Sequence, residues 1–251
     1  MLFYARTPAD LRGVEGTFAG AENFFLGALS SVLRTGGTFF DVGSSFPGLS
    51  VPMAKLLRER GQVIAFDPES DAFRRLRAHV KLNGLSNVRT YQKALGEENA
   101  KGKLVVQGDS CPSLISRGAA RQNANFEWTV AEPDASLAAA SSLPGAEAQA
   151  VDIVQGDWFR ETKQVPVPRA LKVAAEGYGY CVLRGLQRTL AHPACALLCC
   201  EIHPNFLAAN TTGEAITGIV GSAGFAHIVT RLRGAQIHMT ACKQADGQAS
   251  C

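Results

Sequence analysis

The sequence TFFDVGSSFPG at residues 38–48 decides the fold of this 251-residue chain. Residues 38–42 are rich in β-forming apolar types and are bounded by glycines on both sides, which predicts a short buried strand. Apolar residues then recur at helical spacing over residues 49–60, with Pro52 tolerated in the first turn, and this pattern predicts a helix. The chain therefore passes from a buried strand through a glycine-containing loop into a helix.

The same alternation continues on the C-terminal side of this unit. Residues 62–66 predict a second buried strand, residues 71–82 an amphipathic helix, and residues 88–92 a third strand. Strands and helices that alternate at this spacing imply right-handed crossovers and a parallel sheet. The expected fold class is therefore α/β and Rossmann-like.

The rest of the chain is less regular in the middle and then resumes the alternation. The further predicted segments are hairpin strands at 103–106 and 126–131, a weak helix or loose loop at 135–149, strands at 150–154, 170–174 and 196–202, helices at 180–190 and 212–223, and a closing antiparallel pair at 225–231 and 236–241. We expect a single domain over residues 1–251. Within it we expect a helical lead-in at 1–36, with a helix at 22–33, and a frayed tail at 243–251.

Composition and charge argue against several classes of function. The net charge is +3 without a dense Lys/Arg run, which does not favour a nucleic-acid partner. No stretch approaches the roughly 20 apolar residues of a membrane span, and the N-terminus lacks the pattern of a signal peptide. The seven cysteines contain no C-x-x-C pair. They therefore favour reduced thiols and a cytoplasmic location, and they do not indicate a metal site.

The loop after the first strand is a candidate site, because ligands of open parallel sheets bind at the carboxyl ends of the strands. Gly43 lets a ligand approach the backbone, and Ser45 lies in the same loop, but the spacing is not the G-x-G-x-x-G of dinucleotide-binding proteins. Asp41 ends a buried strand, where a carboxylate is costly without a partner. A cationic ligand such as a sulfonium amino acid is one interpretation, and capping of nearby backbone N–H groups is the other.

Asp67 occupies the equivalent position after the second strand. A carboxylate there can accept hydrogen bonds from both ribose hydroxyls of an adenosine ligand. The alternative is that Asp67 caps the next helix, although Ser70 is also placed to do so. These residues alone leave both NAD and S-adenosylmethionine open as the cofactor.

Several segments, taken in order, resemble the FkbM family of S-adenosylmethionine-dependent methyltransferases. They are FDVGSSFPGLSV (40–51), GQVIAFDPE (61–69), KLNGL (81–85), KALGE (93–97), LKVAAEG (171–177) with VLRG (182–185), and CEIHP (200–204). The resemblance implies a Rossmann-like seven-stranded methyltransferase fold, with a mostly parallel sheet and an antiparallel closing strand. It also implies S-adenosylmethionine as cofactor and methyl transfer to a hydroxyl of a sugar or another small molecule.

The resemblance further implies roles for individual residues. The cofactor-binding residues would be Asp41, Gly43 and Ser45 around the methionine end, Asp67 on the ribose, and Ala94 and Leu95 along the adenine. Glu176 and Gly177 would lie in the substrate-side loop. Two departures from the family pattern concern catalysis, because Ala174 and Gly179 stand where the family usually has acids.

Three residues are candidates for a general base: Glu176, Glu201 and His203. Glu201 and His203 are two apart at a strand end and so point the same way, and His takes up a proton near neutral pH. Structural roles are the alternatives, with His203 hydrogen-bonded before Pro204 and Glu176 capping the next helix. The spacing does not favour a divalent metal on the pair.

These observations lead to two main hypotheses about function. The first is an active O-methyltransferase for a small hydroxylated substrate. The second is a cofactor-binding but catalytically impaired relative, which Ala174 and Gly179 favour. A nicotinamide-dependent oxidoreductase is disfavoured by the missing glycine pattern, and an RNA methyltransferase by the low net charge.

Overall fold

The computed structural model describes residues 1–3, 15, 18, 23–45, 48–107, 113–114, 120–123, 126–129, 146–175, 177–204 and 212–244. The helices in these ranges are α1 (Asn23–Leu33), α2 (Ser50–Leu57, continued by the 3-10 turn Arg58–Arg60), α3 (Ser70–Leu82), α4 (Gly156–Thr162), α5 (Gly179–Gly185), α6 (Gln187–Ala191) and α7 (Gly213–Ser222). The strands are β1 (Gly37–Val42), β2 (Gly61–Phe66), β3 (Val88–Tyr91), β4 (Ala94–Gly96), β5 (Ala100–Gln107), β6 (Ser113–Leu114), β7 (Ala120–Asn123), β8 (Phe126–Thr129), β9 (Ala146–Gln155), β10 (Ala170–Ala174), β11 (Leu197–Ile202), β12 (His227–Arg233) and β13 (Gln236–Cys242).

The central sheet has seven strands in the order β12-β13-β11-β10-β1-β2-β3. The neighbours from β3 across to β11 pair in parallel, whereas β13 is antiparallel to both β11 and β12. The order in which successive strands are added to the sheet reverses at β1. The strands β2 and β3 lie on one side of β1, and β10 and β11 lie on the other. This α/β architecture, with its mostly parallel sheet and antiparallel closing strand, confirms the expected fold class.

The two faces of the sheet bury separate apolar clusters because successive side chains of a strand point to opposite faces. Phe39 of β1 belongs to the cluster under α1 and α2, together with Phe25 and Met53. Phe40 and Val42 belong to the cluster on the other face. We call these the α1 face and the crevice face. Asp41 follows Phe39 in the alternation and therefore lies on the α1 face.

A second, four-stranded sheet has the order β4-β9-β5-β6. The strands predicted for the middle of the chain are present among the described residues, but their bounds and pairing differ from the expectation. The predicted strand 150–154 belongs to the ten-residue β9, and residues 146–149 extend it instead of forming a helix or loop; residues 135–145 lie outside the described residues. The predicted strand 103–106 lies in β5 and pairs with β9 and β6, whereas β8 pairs with β7.

Two helix predictions also need correction. The helix expected at 180–190 is two short helices, α5 and α6, which meet at Leu186, where φ is −112° and ψ is 18°. The cap of α3 is neither Asp67 nor Ser70. The Glu69 side chain accepts hydrogen bonds from the N–H groups of Asp71 (2.7 Å) and Ala72 (2.6 Å). Asp67 is thereby released from capping the helix.

The cysteines only partly match the expectation of reduced thiols. The free cysteines of the described chain are Cys181, Cys195, Cys199 and Cys200. Cys242 at the end of β13 is disulfide-bonded, contrary to that expectation. Within the described ranges, none of the helices combines the length and the apolar character that crossing a membrane requires.

Candidate functional site

A crevice opens at the carboxyl ends of β1, β2 and β10, on the crevice face of the sheet. Its empty space, including space open to solvent, amounts to about 560 Å³. Its lining residues are Val42, Gly43, Ser45, Asp67, Pro68, Glu69, Lys93, Ala94, Leu95, Leu104, Ala174, Ala175, Tyr178 and Val182. Five of the six residues predicted to bind a cofactor therefore line one crevice.

The loop after β1 is fixed by hydrogen bonds to the end of β2. The N–H groups of Gly43 and Ser44 donate to the Phe66 carbonyl oxygen at 2.9 and 3.1 Å. Gly43 has a φ of +73°, and a Cβ placed on it would lie 1.8 Å from the carbonyl oxygen of Ala174. The sequence-based explanation of this glycine was therefore incomplete. The neighbouring strand β10 already excludes a side chain here, whatever a ligand requires.

Asp67 is the buried carboxylate of this crevice, with a residue exposure of 4%. It accepts hydrogen bonds from the backbone N–H groups of Ser45 (2.6 Å) and Glu69 (3.0 Å). Burial raises the pKa of Asp67 to about 6, against the lowering effect of these two N–H groups and of the charge on Lys172. The ionised carboxylate is thus stabilised mainly by backbone dipoles, so that it gains from further donors.

Several residues of the crevice lining are apolar. Ala94 and Leu95 of β4 are buried there, and Leu104 of β5 and Val182 of α5 belong to the same lining. Tyr178 lies beside them, and its backbone N–H donates to the Ala175 carbonyl oxygen. Burial raises the pKa of Tyr178 above its ordinary value, so this phenol stays protonated at neutral pH. A crevice lined by both apolar side chains and a buried carboxylate suits a ligand that carries a flat ring and hydroxyl groups.

Asp41 does not line this crevice, contrary to the interpretation as a direct ligand of the cofactor. Its residue exposure is 1%, and Oδ2 accepts a hydrogen bond from the Ser50 hydroxyl at 2.5 Å. Oδ1 lies 3.4 Å from Nζ of Lys172, its cross-strand neighbour on β10. The cationic partner that a buried carboxylate needs is supplied by the protein itself, on the α1 face.

Glu201 and His203 lie together, as their spacing predicted, but away from the crevice lining. Oε1 of Glu201 is 3.6 Å from His203 Nε2, 3.4 Å from His238 Nε2 and 3.6 Å from Arg233 Nη1. We call these four residues the β11 cluster. Burial disfavours the charge on Glu201, but the hydrogen bonds of His203 and His238, with the charges of His203 and Lys172, outweigh it and hold the Glu201 pKa far below its usual range.

The β10 side of the crevice is poor in acids. Ala174 lines it at the end of β10, where the resemblance implied a carboxylate, and Gly179 is buried at the start of α5. Glu176, the third candidate base, lies outside the described residues. The titratable residues that do line the crevice are Asp67, Glu69, Lys93 and Tyr178. Among the described residues no group of three or more His, Cys, Asp or Glu is arranged to hold a metal ion.

Sequence reasoning did not identify several lining residues. Glu69 and Tyr178 follow the ends of β2 and β10, so their positions at the strand ends could have revealed them. Leu104 comes from β5, and its place in the lining depends on the pairing of β5 with β9, which no local pattern indicates. Nζ of Lys93 lies 3.1 Å from Oδ2 of Asp152 on β9, which is also far from it in the sequence, so no local pattern indicates this contact either.

Neither a protein-family model nor a curated protein sequence matches the chain. Similar folds occur among solved structures. The methyltransferase FkbM from Methylobacillus flagellatus matches 82% of this chain with a TM-score of 0.52 and 12% identity. An O-methyltransferase family protein from Burkholderia thailandensis matches 95% at a TM-score of 0.49 and 8% identity. The precorrin-6y C5,15-methyltransferase from Geobacter metallireducens matches 87% at 0.47 and 10%.

The three matched proteins differ in the share of their own length that this chain covers. The chain spans 44% of the Methylobacillus protein, 59% of the Burkholderia protein and 87% of the Geobacter protein. At such identities the likeness concerns the fold alone, and only the first TM-score supports an argument. Together with the strand order, it shows that the chain has the Rossmann-like seven-stranded methyltransferase fold.

Proposed function

We propose that this chain binds S-adenosylmethionine in the crevice and transfers its methyl group to a hydroxyl of a small molecule. The observation that carries the proposal is that the buried Asp67 carboxylate and a set of apolar residues line one crevice at the carboxyl ends of the strands. Adenosine has both features that this pair would recognise. Its ribose offers two hydroxyl donors, and its adenine offers a flat apolar surface.

Each part of the cofactor has a candidate partner among the lining residues. Asp67 would accept hydrogen bonds from the ribose hydroxyls, and Ala94 and Leu95 would pack along the adenine. Gly43 and Ser45 would lie near the methionine end, with Asp41 supporting their loop from the other face. The loop also lacks the glycine spacing that suits a pyrophosphate, which favours S-adenosylmethionine over NAD.

Methyl transfer asks little of the protein beyond alignment. The bound sulfonium supplies an already activated methyl group, and orientation of the acceptor can contribute up to about 7–11 kcal/mol to the lowering of the barrier. A general base would add about 10²–10⁴-fold. Glu176 is the first candidate because it follows Ala175, which lines the crevice. Glu201 and His203 are weaker candidates because they lie in the β11 cluster.

The competing proposal is a protein that binds the cofactor without turnover. The alanine at position 174 favours it, since this residue lines the crevice where a substrate-side acid is expected. The measurement that separates the two is turnover by Ala174→Asp with an acid also restored at Gly179. A Cβ at Gly179 would meet only Val173, at 3.9 Å, so the site has room for it. Ala175→Asp is the matched control, because Ala175 also lines the crevice.

The deciding experiment is calorimetric titration of the chain with S-adenosylmethionine and, separately, with NAD. We expect saturable binding of S-adenosylmethionine and none of NAD. Incubation with a set of hydroxylated small molecules, followed by mass spectrometry, should then detect methylated products. Binding of NAD alone, or of neither compound, would refute the proposal. Binding without any methylated product, together with turnover only in the variant with restored acids, would favour the competing one.

Two finer points belong to the same proposal. A closer relation to the FkbM methyltransferases is supported by the ordered sequence segments described above. A cytoplasmic location is supported by the four free thiols among the described residues, whereas the disulfide at Cys242 argues against it. Counting reactive thiols in protein purified without reductant would test the location, because a reducing compartment predicts that Cys242 is also free.

A further inference from the structure

Lys172 is a buried cation that the proposed reaction does not use. It lies in the middle of β10, between Asp41 of β1 and Cys199 of β11, and its residue exposure is 9%. Its ammonium group donates a hydrogen bond to the carbonyl oxygen of Gly43 at 2.6 Å and lies 3.4 Å from Asp41 Oδ1. Burial of an ammonium group costs desolvation free energy, so a role for Lys172 next to the crevice loop would account for its retention there.

The loop after β1 is held from two sides. On the β2 side, the N–H groups of Gly43 and Ser44 donate to Phe66, and that of Ser45 donates to Asp67. On the β10 side, Lys172 holds the carbonyl oxygen of Gly43. Asp41 in turn fixes the ammonium group and also receives the Ser50 hydroxyl at the start of α2. The peptide unit after Gly43 is therefore anchored between two strands.

We propose that Lys172 is a positioning residue, which orients the Gly43–Ser45 loop for the cofactor and supplies the positive charge that keeps the Asp67 carboxylate ready to accept its hydroxyls. The proposal rests on the proposed function of the crevice and adds a residue to it. Lys172 acts from the opposite face of the sheet and is not among the residues that line the crevice. It therefore acts through the loop and through its charge.

The charged groups around Asp67 support a contribution of Lys172 to its ionisation. Glu69 raises the Asp67 pKa, whereas Lys172 and the two backbone N–H groups lower it. Lys93 also lines the crevice, but its ammonium donates to Asp152. Removal of the Lys172 charge should therefore move the Asp67 pKa upward from about 6, toward the pH at which the cofactor binds.

The test uses two variants that both lack the Lys172 ammonium group but are expected to differ in stability. Lys172→Met leaves Asp41 as a buried, unpaired carboxylate and is expected to lower the melting temperature strongly. The double variant Asp41→Asn with Lys172→Met removes both charges and should recover much of that loss. Lys81→Met, at an exposed position of α3, is the control for the change in net charge. Each variant is titrated with S-adenosylmethionine from pH 5 to pH 9.

We expect both Lys172 variants to bind S-adenosylmethionine more weakly, and a one-unit rise of the Asp67 pKa from about 6 would lower the affinity about tenfold at pH 5 and about twofold at pH 7. Their affinity should also rise to its plateau at a higher pH than in the unmodified chain. A double variant that regains both the melting temperature and the original affinity would overturn the proposal, because Lys172 would then only stabilise the fold. If Lys172→Met does not fold, the double variant alone decides.

A separate measurement keeps this proposal distinct from the function of the crevice. The titration of the Asp67 carboxyl carbon is followed by NMR in ligand-free Asp41→Asn and in the ligand-free double variant, so that the two proteins differ only in the Lys172 charge. An upward shift of its midpoint in the variant supports the role of Lys172 even if the unmodified chain binds no S-adenosylmethionine, a result that would refute the proposed function only. An unchanged midpoint in the ligand-free variant would refute the role of the Lys172 charge.

Discussion

Asp67 in the crevice, which is buried, and Glu201 in the β11 cluster, which is partly buried, are both carboxylates at the carboxyl ends of sheet strands, yet their surroundings are opposite. Glu201 has two histidines and an arginine around one oxygen, and its pKa lies far below the usual range. Asp67 has two backbone N–H donors, and burial raises its pKa to about 6. The Glu201 charge is satisfied by the fold, whereas that of Asp67 would still gain from a ligand.

This difference separates an acid whose charge the fold satisfies from the acid that we propose as a ligand-binding residue more clearly than position in the sequence does. Asp41, which the sequence presents as an equal of Asp67, belongs with Glu201, because Lys172 Nζ lies 3.4 Å from its Oδ1 and the Ser50 hydroxyl donates to its Oδ2, although Oδ1 itself accepts no hydrogen bond from the described residues. A buried acid near a strand end is therefore a site candidate only where the protein leaves part of its charge without side-chain partners.

The largest expected effect lies on the structural side of this comparison. Glu201→Gln should lower the free energy of unfolding by about 3 kcal/mol at pH 7, because it removes the carboxylate charge that His203, His238 and Arg233 share. A lowered pKa means that the Glu201 charge stabilises the fold above pH 4.5 and less as the pH falls. Urea denaturation should therefore show a smaller difference in the free energy of unfolding between the unmodified chain and Glu201→Gln at pH 4 than at pH 7. Glu59→Gln, at an exposed position, is the control.

A loss of cofactor affinity in Glu201→Gln as large as that of an Asp67 variant would contradict the assignment of the β11 cluster to the fold. Such a loss would indicate that Glu201 contacts the ligand directly. Measurement of both quantities on one preparation is needed, because a destabilised chain loses affinity through unfolding alone.

The next effect is on the ligand side. Asp67→Ala should weaken S-adenosylmethionine binding by roughly ten- to a hundredfold, the size of lost charge-assisted hydrogen bonds. Calorimetric titration measures it, with Asp71→Ala on the exposed side of α3 as the matched control. An affinity equal to that of the unmodified chain would remove the ribose assignment.

A smaller effect should appear with pH. Because the Asp67 pKa is about 6 in the folded chain, the carboxylate that accepts hydrogen bonds is present above pH 6 and is lost as the pH falls. The affinity for S-adenosylmethionine should then drop about tenfold between pH 7 and pH 5. The same titration on Asp67→Asn should show a flat profile over this range. A pH-dependent drop that persists in Asp67→Asn would assign the titration to another group.

The smallest effect is expected at Ser45. Its backbone N–H, not its hydroxyl, donates to Asp67, so Ser45→Ala keeps the contact that shapes the crevice. We expect an affinity change below about threefold, which is less than the loss of one hydrogen bond to a charged group. A tenfold loss would show that the hydroxyl itself contacts the ligand, and Ser45 would then join Asp67 as a direct binding residue.

The sequence alone predicted most of the central sheet. Each of the strands β1, β2, β3, β10 and β11 is a short apolar run between turn residues, so its position depends on local pattern. The second sheet was predicted poorly, because β5 and β9 pair across a long stretch of intervening chain. The break between α5 and α6 was also missed. It lies next to Gly185, where a Cβ would meet the Gly96 carbonyl oxygen at 1.8 Å.

By itself, then, the sequence determined the α/β class, the order of the strands along the chain and the placement of Asp67 at a strand end. These features follow from the alternation of side chains and from turn chemistry, which act over a few residues. Only the tertiary structure decided which acids face the crevice. The partner of Asp41 is Lys172 and the partners of Glu201 include His238, so the state of each carboxylate depends on strands that meet only in the folded sheet.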